Sequence, residues 1–292
     1  MNTNWNGTGV AVITPFKTDR SVDYTSLEKI INHLINGGVE YLVILGTTGE
    51  TATLTEDEKK SIWKFVADKT AGRVPLVAGI GGNDTMHVTD QLKKFDSNGY
   101  DAILSVSPYY NKPSQEGIYQ HYMEIEKASP LPIIIYNVPG RTGSNLTAET
   151  TLRLANSSNK FIGVKEASGN LSQISRIIEG RPEGFFVISG DDNLTLPMMS
   201  FGVQGVISVS ANAYPKQMSE LVRFALKNDF GSASILYYSL FEFTEAIFAE
   251  SSPAGIKVAM NKLGLCENVL RLPAVNSNIE VSSKIISAMN KL

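Results

Sequence analysis

The chain has 292 residues, of which 42% are hydrophobic and 24 are glycine, an ordinary composition for a globular protein that excludes a disordered or fibrous polypeptide. Its 26 Lys and Arg against 29 Asp and Glu give a formal net charge of −3, which is too balanced for a protein that holds nucleic acid or an anionic membrane through a broad electrostatic field. The length fits either two domains or one α/β barrel, because such barrels routinely use about 250 residues.

Cysteine and histidine usage indicates the compartment and argues against a metal centre. Cys266 is the single cysteine, so no internal disulfide can form, and a reducing compartment fits best. The N-terminal residues lack the basic start and apolar run of a signal peptide, and no stretch approaches the roughly 18 apolar residues of a membrane span. We therefore expect a cytoplasmic protein. His33, His87 and His121 are scattered one per predicted helix, so we expect no metal site.

Short apolar runs alternate with longer amphipathic stretches that begin at capping residues, the pattern of buried strands followed by helices. The eight strand candidates lie at 8–13, 41–45, 74–79, 101–105, 133–136, 161–165, 185–189 and 205–209. The helix candidates begin near Asp23, Thr55, Thr85, Ser114, Thr147, Asn170, Asn193 and Pro215. Strands that are apolar at nearly every position are covered on both faces, and repeated right-handed βαβ crossovers can close into a barrel. The sequence therefore predicts an α/β protein with a (β/α)8 TIM barrel.

An open doubly wound sheet is the alternative fold, but it needs a glycine-rich phosphate loop after its first strand. The chain has TPFK at 14–17 instead, and the glycines of 79–84 (GIGGND) miss the required spacing. From about residue 230 onward the pattern is helical only, over 230–250, 253–263 and 275–291. We therefore expect one structural unit, with a barrel at 1–229 and a C-terminal helical extension at 230–292 packed on it.

The active site of an α/β barrel lies at the C-terminal ends of its strands, where the βα loops meet. Lys165 ends the apolar run 161–164, so its amine would emerge inside an apolar barrel mouth. Burial disfavours the charged form of an amine, and a neutral lysine can attack a carbonyl to form a Schiff base. The alternative is a lysine that simply leaves the core and pairs with a carboxylate such as Glu166.

Three further strand ends carry candidates. Tyr136 could transfer protons at a carbonyl oxygen, or be a core tyrosine with a satisfied hydroxyl. Thr47 and Thr48 lie between glycines, where loop amides could hold a carboxylate, although Gly-Thr-Thr-Gly is also an ordinary turn. Arg141 follows Pro139-Gly140 and suits a bidentate carboxylate clamp, although a solvated surface arginine is an equal alternative.

Taken together, these motifs resemble the dihydrodipicolinate synthase family of pyruvate-dependent class I aldolases. The matching segments are 46–50 (GTTGE), 107–111 (SPYYN), 136–143 (YNVPGRTG), 164–166 (VKE) and 189–192 (SGDD). They occur in the family's order at successive strand ends, and the resemblance covers essentially the whole chain. It implies an enzyme that condenses pyruvate with L-aspartate 4-semialdehyde, without metal or organic cofactor, in the diaminopimelate route to lysine.

The resemblance also implies residue roles. Lys165 would form the Schiff base, and Tyr136 would be the central acid and base, linked through Thr47 to Tyr110 of a neighbouring subunit. The family's substrate site maps onto Thr48 and the backbone of Ile207 for the pyruvate carboxylate, Arg141 for the carboxylate of the semialdehyde, and Gly190 beside them. A relay shared between subunits implies a homodimer at least, and family members are commonly tetramers.

Two alternatives stay open within this fold. N-acetylneuraminate lyases and 2-keto-3-deoxy sugar acid aldolases share the lysine and tyrosine, but differ in the loop after the tyrosine, where they have no arginine like Arg141. A barrel that binds an oxo acid without catalysis is an alternative of another class, against which the presence of Lys165, Tyr136 and Thr47 argues.

The chain departs from lysine-inhibited family members at the positions of the allosteric site. Ala52, Asn83 and Tyr109 match those positions, but Glu56 and Lys59 stand in place of two histidines, and His87 replaces a glutamate that holds the effector's amino group. Losing a carboxylate and adding a cation weakens the binding of a cationic amino acid. We therefore expect weak or absent feedback inhibition by lysine.

Overall fold

The computed structural model describes residues 5–292 and contains a closed barrel of parallel strands. The strands are β1 (Gly7–Ala11), β2 (Tyr41–Ile44), β3 (Leu76–Gly79), β4 (Ala102–Val106), β5 (Ile133–Asn137), β6 (Phe161–Glu166), β7 (Phe186–Ser189) and β8 (Gly205–Ser208). Each strand pairs in parallel with its sequence neighbours, and β8 closes the barrel by pairing with β1. The predicted (β/α)8 barrel is confirmed, with all eight strands at the predicted places.

Helices surround the barrel and continue beyond it. They are α1 (Tyr24–Asn36), α2 (Glu56–Thr70), α3 (Thr85–Lys94), α4 (Gln115–Ala128), α5 (Pro139–Thr142), α6 (Ala148–Ser157), α7 (Leu171–Gly180), α8 (Thr195–Met199), α9 (Pro215–Leu226), α10 (Phe230–Phe248), α11 (Ala254–Lys262) and α12 (Ile279–Met289). Capping explains why several begin where the sequence predicts. At α2, Thr55 Oγ1 accepts from the amide of Glu58 at 3.2 Å, and Glu58 accepts from the amide of Thr55 at 3.0 Å.

Three details differ from the sequence prediction. Two helices, α5 and α6, follow β5 instead of one, because Pro139 opens a short helix that Gly143 ends in a left-handed conformation. Short 3₁₀ turns at Thr47–Gly49 and Thr51–Thr53 follow β2. Helix α12 begins later than residue 275, because the side chain of Asn278 caps it by accepting from the amide of Val281 at 2.9 Å.

Aromatic side chains fill the N-terminal end of the barrel interior. Trp5 packs edge-on against Tyr41 at 5.3 Å between ring centroids, and also contacts Phe186 at 6.2 Å. Glycines make room for these rings, since a Cβ at Gly9 would lie 2.1 Å from Tyr41 and one at Gly163 would lie 2.3 Å from Phe186. The interior is therefore closed at this end, and space remains at the C-terminal ends of the strands.

The predicted C-terminal helices are present and pack on the barrel helices. Helix α10 lies along α9, and α12 packs against α10 and α11. Phe243 of α10 is fully buried, and its ring meets that of Tyr214 edge-on at 4.9 Å. Among residues 5–292, no helix has the length and apolar character that a membrane crossing needs. The division of the chain at residues 229 and 230 stays a prediction.

Candidate active site

A cavity of about 620 Å³ opens at the C-terminal ends of the strands. Thr47 lines it from the loop after β2, Tyr136 from the end of β5, and Arg141 from α5. The structure thus brings together three candidates that lie in separate segments of the sequence. They share one rim because parallel strands place all their C-terminal ends at the same end of the barrel.

Lys165 lies directly beside Tyr136. The register of β5 and β6 pairs these two residues, and the Lys165 Nζ lies 4.4 Å from the centroid of the Tyr136 ring. The two residues are only 5% and 6% exposed. A buried amine that faces a phenol ring at the mouth of a barrel is placed to react with a carbonyl bound above it.

Glu166 does not pair with Lys165, so that alternative is wrong. Successive side chains of a strand point to opposite faces, and Glu166 turns outward to the helix layer. Its two carboxylate oxygens accept from Asn137 Nδ2 and Gln173 Nε2, each at 2.9 Å. Burial raises the pKa of Glu166 even though these hydrogen bonds favour its charged form. The Glu166 carboxylate therefore links the end of β6 to β5 and α7, and it does not pair with the amine of Lys165.

Gly190 provides the space that Lys165 occupies. A Cβ at Gly190 would lie 2.9 Å from Lys165 Cε and 2.7 Å from the Cβ of Ala167. The amide of Gly190 donates to the carbonyl of Glu166 at 2.8 Å, which keeps the two strand ends close. The residue predicted to line the substrate site is thus placed against the side chain of Lys165.

The loop that carries Thr47 and Thr48 is a 3₁₀ turn held by hydroxyl groups. Thr48 is buried and Thr47 is exposed to the cavity. Thr51 Oγ1 donates to the carbonyl of Leu45 at 2.6 Å, and Thr14 Oγ1 donates to the carbonyl of Gly49 at 2.7 Å. The loop is therefore more restrained than an ordinary exposed turn.

Ile207 and Arg141 differ in burial. Ile207, in β8, is 1% exposed and packs in the barrel interior with Tyr136 and Ile188. Arg141 is exposed and lines the cavity. Its backbone amide donates to the carbonyl of Val138 at 2.9 Å, so it lies on a restrained turn, the short helix α5, at the edge of the cavity.

Tyr110 lies outside this group. It is 87% exposed and has a left-handed backbone with a φ of 72°. Its amide donates to the carbonyl of Thr142 at 3.3 Å, which joins its loop to α5. Within one chain, the phenol of Tyr110 is thus held at the surface while Thr47 and Tyr136 line the cavity.

The residues matching the allosteric positions lie on the flank of the same cavity. Its lining includes Ala52, Lys59, Asn83, His87 and Tyr109. Glu56 and His87 also line a neighbouring cavity of about 530 Å³ between α2 and α3. Lys59 Nζ donates to Glu56 Oε1 at 2.8 Å, and Asn83 Nδ2 donates to the carbonyl of Tyr109 at 3.1 Å. Lys59 and His87 thus lie on the flank, where Glu56 is paired with Lys59 and Asp84 accepts from two backbone amides of α3.

The C-terminal extension contributes to the cavity, which was not predicted from the sequence. Ser252, Arg271, Pro273 and Ala274 all line it. The C-terminal helical pattern indicated packing, but it carried no signal of a site.

Within residues 5–292, no three His, Cys, Asp or Glu side chains are grouped as potential ligands of a metal ion.

Fold and site together define a class of protein. A closed α/β barrel that buries a lysine amine beside a tyrosine at its C-terminal face has the arrangement of an enzyme that forms Schiff bases with carbonyl substrates. The chain belongs to the dihydrodipicolinate synthetase family, whose model matches residues 4–292.

Individual relatives agree over almost the whole length. The chain is 52% identical over 289 residues to the 4-hydroxy-tetrahydrodipicolinate synthase of Parabacteroides distasonis, covering 99% of this chain and 97% of the relative. The crystal structure of the chloride-inhibited dihydrodipicolinate synthase from Acinetobacter baumannii, complexed with pyruvate, matches with a TM-score of 0.95, 37% identity and 99% coverage of both chains. The dihydrodipicolinate synthase of Cyanidioschyzon merolae with lysine bound matches with a TM-score of 0.95, 36% identity and 98% coverage of both.

These similarities confirm the predicted family and the predicted class of enzyme, a lyase of the class I aldolase type. The main functional prediction, the synthase activity of this family, is likewise confirmed. The relatives support it over the sugar-acid lyase and the non-catalytic barrel.

Proposed function

We propose that this enzyme condenses pyruvate with L-aspartate 4-semialdehyde to form 4-hydroxy-tetrahydrodipicolinate, using Lys165 as the Schiff-base lysine. The observation that carries the proposal is the buried Lys165 Nζ at 4.4 Å from the ring of Tyr136. Tyr136 in turn lines the cavity together with Thr47 and Arg141. An amine, a phenol, a hydroxyl loop and a guanidinium are the groups that this condensation needs.

The first half of the reaction activates pyruvate. The neutral amine of Lys165 attacks the ketone carbon, the carbonyl oxygen leaves as water, and an imine forms. Loss of a proton from the methyl group then gives an enamine. Tyr136 is placed to move these protons, because its ring adjoins the amine. The amides of the turn at Thr47–Gly49, with the backbone at Ile207, would hold the pyruvate carboxylate.

The second half forms the new carbon–carbon bond and releases the enzyme. The enamine carbon attacks the aldehyde of the second substrate, whose oxygen takes up a proton from Tyr136. The substrate's own amino group then attacks the imine carbon and displaces Lys165, which regenerates the free lysine as the ring closes. Arg141 would hold the carboxylate of the semialdehyde as a bidentate clamp, which a polyhydroxylated sugar acid would not need.

The proposal includes a proton relay shared between subunits of a homo-oligomer. Tyr110 is 87% exposed, so its phenol is available to reach the Thr47 of another subunit. We propose a dimer as the smallest complete unit and a tetramer as the assembled form. We also propose a cytoplasmic location, because a chain with a single cysteine forms no internal disulfide and so suits a reducing compartment.

Borohydride trapping tests the chemistry. Treatment with pyruvate and borohydride should add mass to the peptide that contains Lys165, and an unlabelled Lys165 peptide would contradict the Schiff base.

A coupled assay with pyruvate and the semialdehyde, run beside cleavage of N-acetylneuraminate and a 2-keto-3-deoxy acid, tests the substrates. Preference for the sugar acids together with indifference to Arg141→Ala would favour the alternative lyase, and pyruvate-dependent stabilisation without turnover would favour a binding protein.

Tyr136→Phe tests the proton transfer. We expect turnover to fall by roughly 10²–10⁴-fold, the usual contribution of a positioned acid or base, with a much smaller change in the KM for pyruvate. Tyr119→Phe removes a hydroxyl from the exposed face of α4 and should leave both constants unchanged. Unchanged turnover in Tyr136→Phe would remove this residue from the mechanism.

A further inference from the structure

A buried ion pair lies behind the turn that carries Thr47 and Thr48. Glu50 and Lys257 form it, and they are 207 residues apart in the chain. The Lys257 side chain is fully buried and that of Glu50 is 4% exposed. Lys257 Nζ also donates to the carbonyl of Val269 at 2.8 Å, and the other oxygen of Glu50 accepts from the amide of Arg271 at 3.1 Å. Every charged atom of the pair thus has a partner, which a buried pair requires.

A second set of contacts joins the same parts of the molecule. Arg271 donates to both carboxylate oxygens of Glu58, at 2.8 and 2.6 Å, and to the carbonyl of Thr53 at 3.0 Å. Both cations also contact the ring of Phe16, with Lys257 Nζ 4.3 Å and Arg271 Cζ 4.6 Å from its centroid. The C-terminal extension is therefore fixed to the loop after β2 and to the start of α2.

The backbone at Glu50 explains why the loop needs this support. Glu50 has a left-handed conformation, with φ 52° and ψ 35°, and separates the two 3₁₀ turns. A residue other than glycine persists in that conformation only where its surroundings hold it. The amide of Glu50 donates to the carbonyl of Thr47 at 3.2 Å, and its own carbonyl accepts from the amide of Thr53 at 3.0 Å. A shift of Glu50 would therefore move Thr47 and Thr48.

We propose that Glu50 and Lys257 are positioning residues that fix the turn at Thr47–Gly49 in the geometry that binds pyruvate. The inference rests on the proposed function, which assigns the pyruvate carboxylate to this turn. It goes further, because it makes helix α11 a determinant of pyruvate binding even though neither Glu50 nor Lys257 takes part in the chemistry.

The test compares variants of the pair with a matched control. Lys257→Met removes the cation and keeps a long apolar side chain, and the double variant Glu50→Gln with Lys257→Met removes both charges. The double variant guards against misfolding, because replacing a buried pair with uncharged groups is often neutral for stability. Lys291→Met is the control, since it breaks an exposed pair with Glu242 in the same C-terminal extension.

Pyruvate-dependent trapping by borohydride at Lys165 is the first readout, because it reports imine formation without the second substrate. We expect both variants to need about tenfold more pyruvate for half-maximal labelling, which is about the effect of losing one hydrogen bond to a charged carboxylate. The KM for the semialdehyde, which Arg141 sets from a different loop, should stay close to that of the parent. The control should match the parent throughout.

The outcomes separate this inference from the proposed function. Variants with a lower melting temperature but the parent's pyruvate concentration for half-maximal labelling would show that the pair is only structural. That result would overturn the inference. A double variant that fails to fold would do the same. A parent enzyme that pyruvate and borohydride fail to label would instead overturn the proposed function, and the inference with it.

Discussion

At the scale of single residues, the position of Lys165 depends on its small neighbours as much as on its own strand. Gly190 lies against the lysine stem, and Glu166 is turned away and bound by Asn137 and Gln173. The amine is thereby left beside Tyr136, buried and without a carboxylate partner there. The proposed reactivity of this lysine therefore rests on residues that do no chemistry themselves.

Gly190→Ala tests this dependence. The added methyl would lie 2.9 Å from Lys165 Cε and 2.7 Å from the Cβ of Ala167, so the lysine must move. We expect the rate of borohydride trapping to fall by about tenfold or more, with a loss of stability of about 1–3 kcal/mol from overpacking. Trapping rates and melting temperatures check both.

Gly231→Ala is the matched control. Its added methyl would have only an ordinary contact, at 3.6 Å from Asp229, so labelling should be unchanged. Trapping at the parent's rate in Gly190→Ala would contradict the crowding argument.

At the scale of elements, the start of α2 connects the site to the end of the chain. Glu58 caps this helix by accepting from the amide of Thr55, and it also binds Arg271 from the C-terminal extension. One carboxylate thus serves local helix capping and a tertiary contact. The hydrogen bonds from Arg271 are the main reason that the pKa of Glu58 falls from 4.5 to about 2.

This shift predicts how stability depends on pH. Since the pKa of Glu58 is lower in the folded state, its contribution is complete above about pH 4.5 and is lost as the pH falls towards 2. We expect Glu58→Gln to be less stable than the parent at pH 7, with the difference shrinking by pH 3. Urea unfolding midpoints at the two pH values measure this.

Glu280→Gln is the control, because its pair with Lys284 is exposed and such pairs contribute little. It should change the midpoint only slightly at either pH. A Glu58→Gln deficit of constant size from pH 7 to pH 3 would contradict the assignment to this carboxylate.

The flank formed by α2 and α3 predicts weak inhibition by lysine. Lys59 and His87 line it, and Glu56 is already bound by Lys59 and Gln91. A cationic amino acid would meet the cation of Lys59 there. The carboxylate of Asp84, which also lines the cavity, already accepts from two backbone amides of α3. We expect initial rates to be nearly unchanged at micromolar L-lysine, and His87→Glu to increase inhibition by restoring a carboxylate.

Lys216→Gln, on the exposed surface of α9, lowers the formal charge by one unit, as His87→Glu does, but away from the flank, and should leave the response to lysine unaltered. Strong inhibition of the parent at micromolar lysine would show that the cationic flank does not govern effector binding.

At the scale of the whole molecule, one chain does not bring every proposed catalytic group together. Lys165 and Tyr136 meet inside the barrel mouth, whereas Tyr110 is 87% exposed on a loop that α5 holds. A relay that includes Tyr110 therefore requires a second copy of the chain.

Complementation between inactive variants tests that requirement. Tyr110→Phe retains Lys165, and Lys165→Ala retains Tyr110, so a mixed dimer has one site with its own lysine and the partner subunit's Tyr110. Random pairing of equal amounts should restore about one quarter of the sites. Activity of the coexpressed mixture, compared with each variant alone, measures the recovery. No recovery, or a fully active monomer, would contradict the shared relay.

The sequence was enough to predict the fold and to place the candidate site residues at one end of the barrel, because both depend on local patterns. Eight apolar runs separated by capped helices allow little besides a barrel. Lys165, Tyr136, Thr47 and Arg141 are detectable because each lies at or just after a strand end, where a barrel places its site. The short helix α5 and the turns after β2 were not predicted, since such short elements depend on tertiary contacts as much as on propensity.

Periodicity and capping act between residues close in the chain, so they are enough to predict the strand order, most helix starts and the chemical types of the groups at the mouth. Which charges meet is visible only in the folded chain. There Glu166 is turned away from Lys165, and Glu50 is joined to Lys257 across 207 residues. Partner choice among buried charges depends on how distant segments pack, and no local pattern encodes that packing.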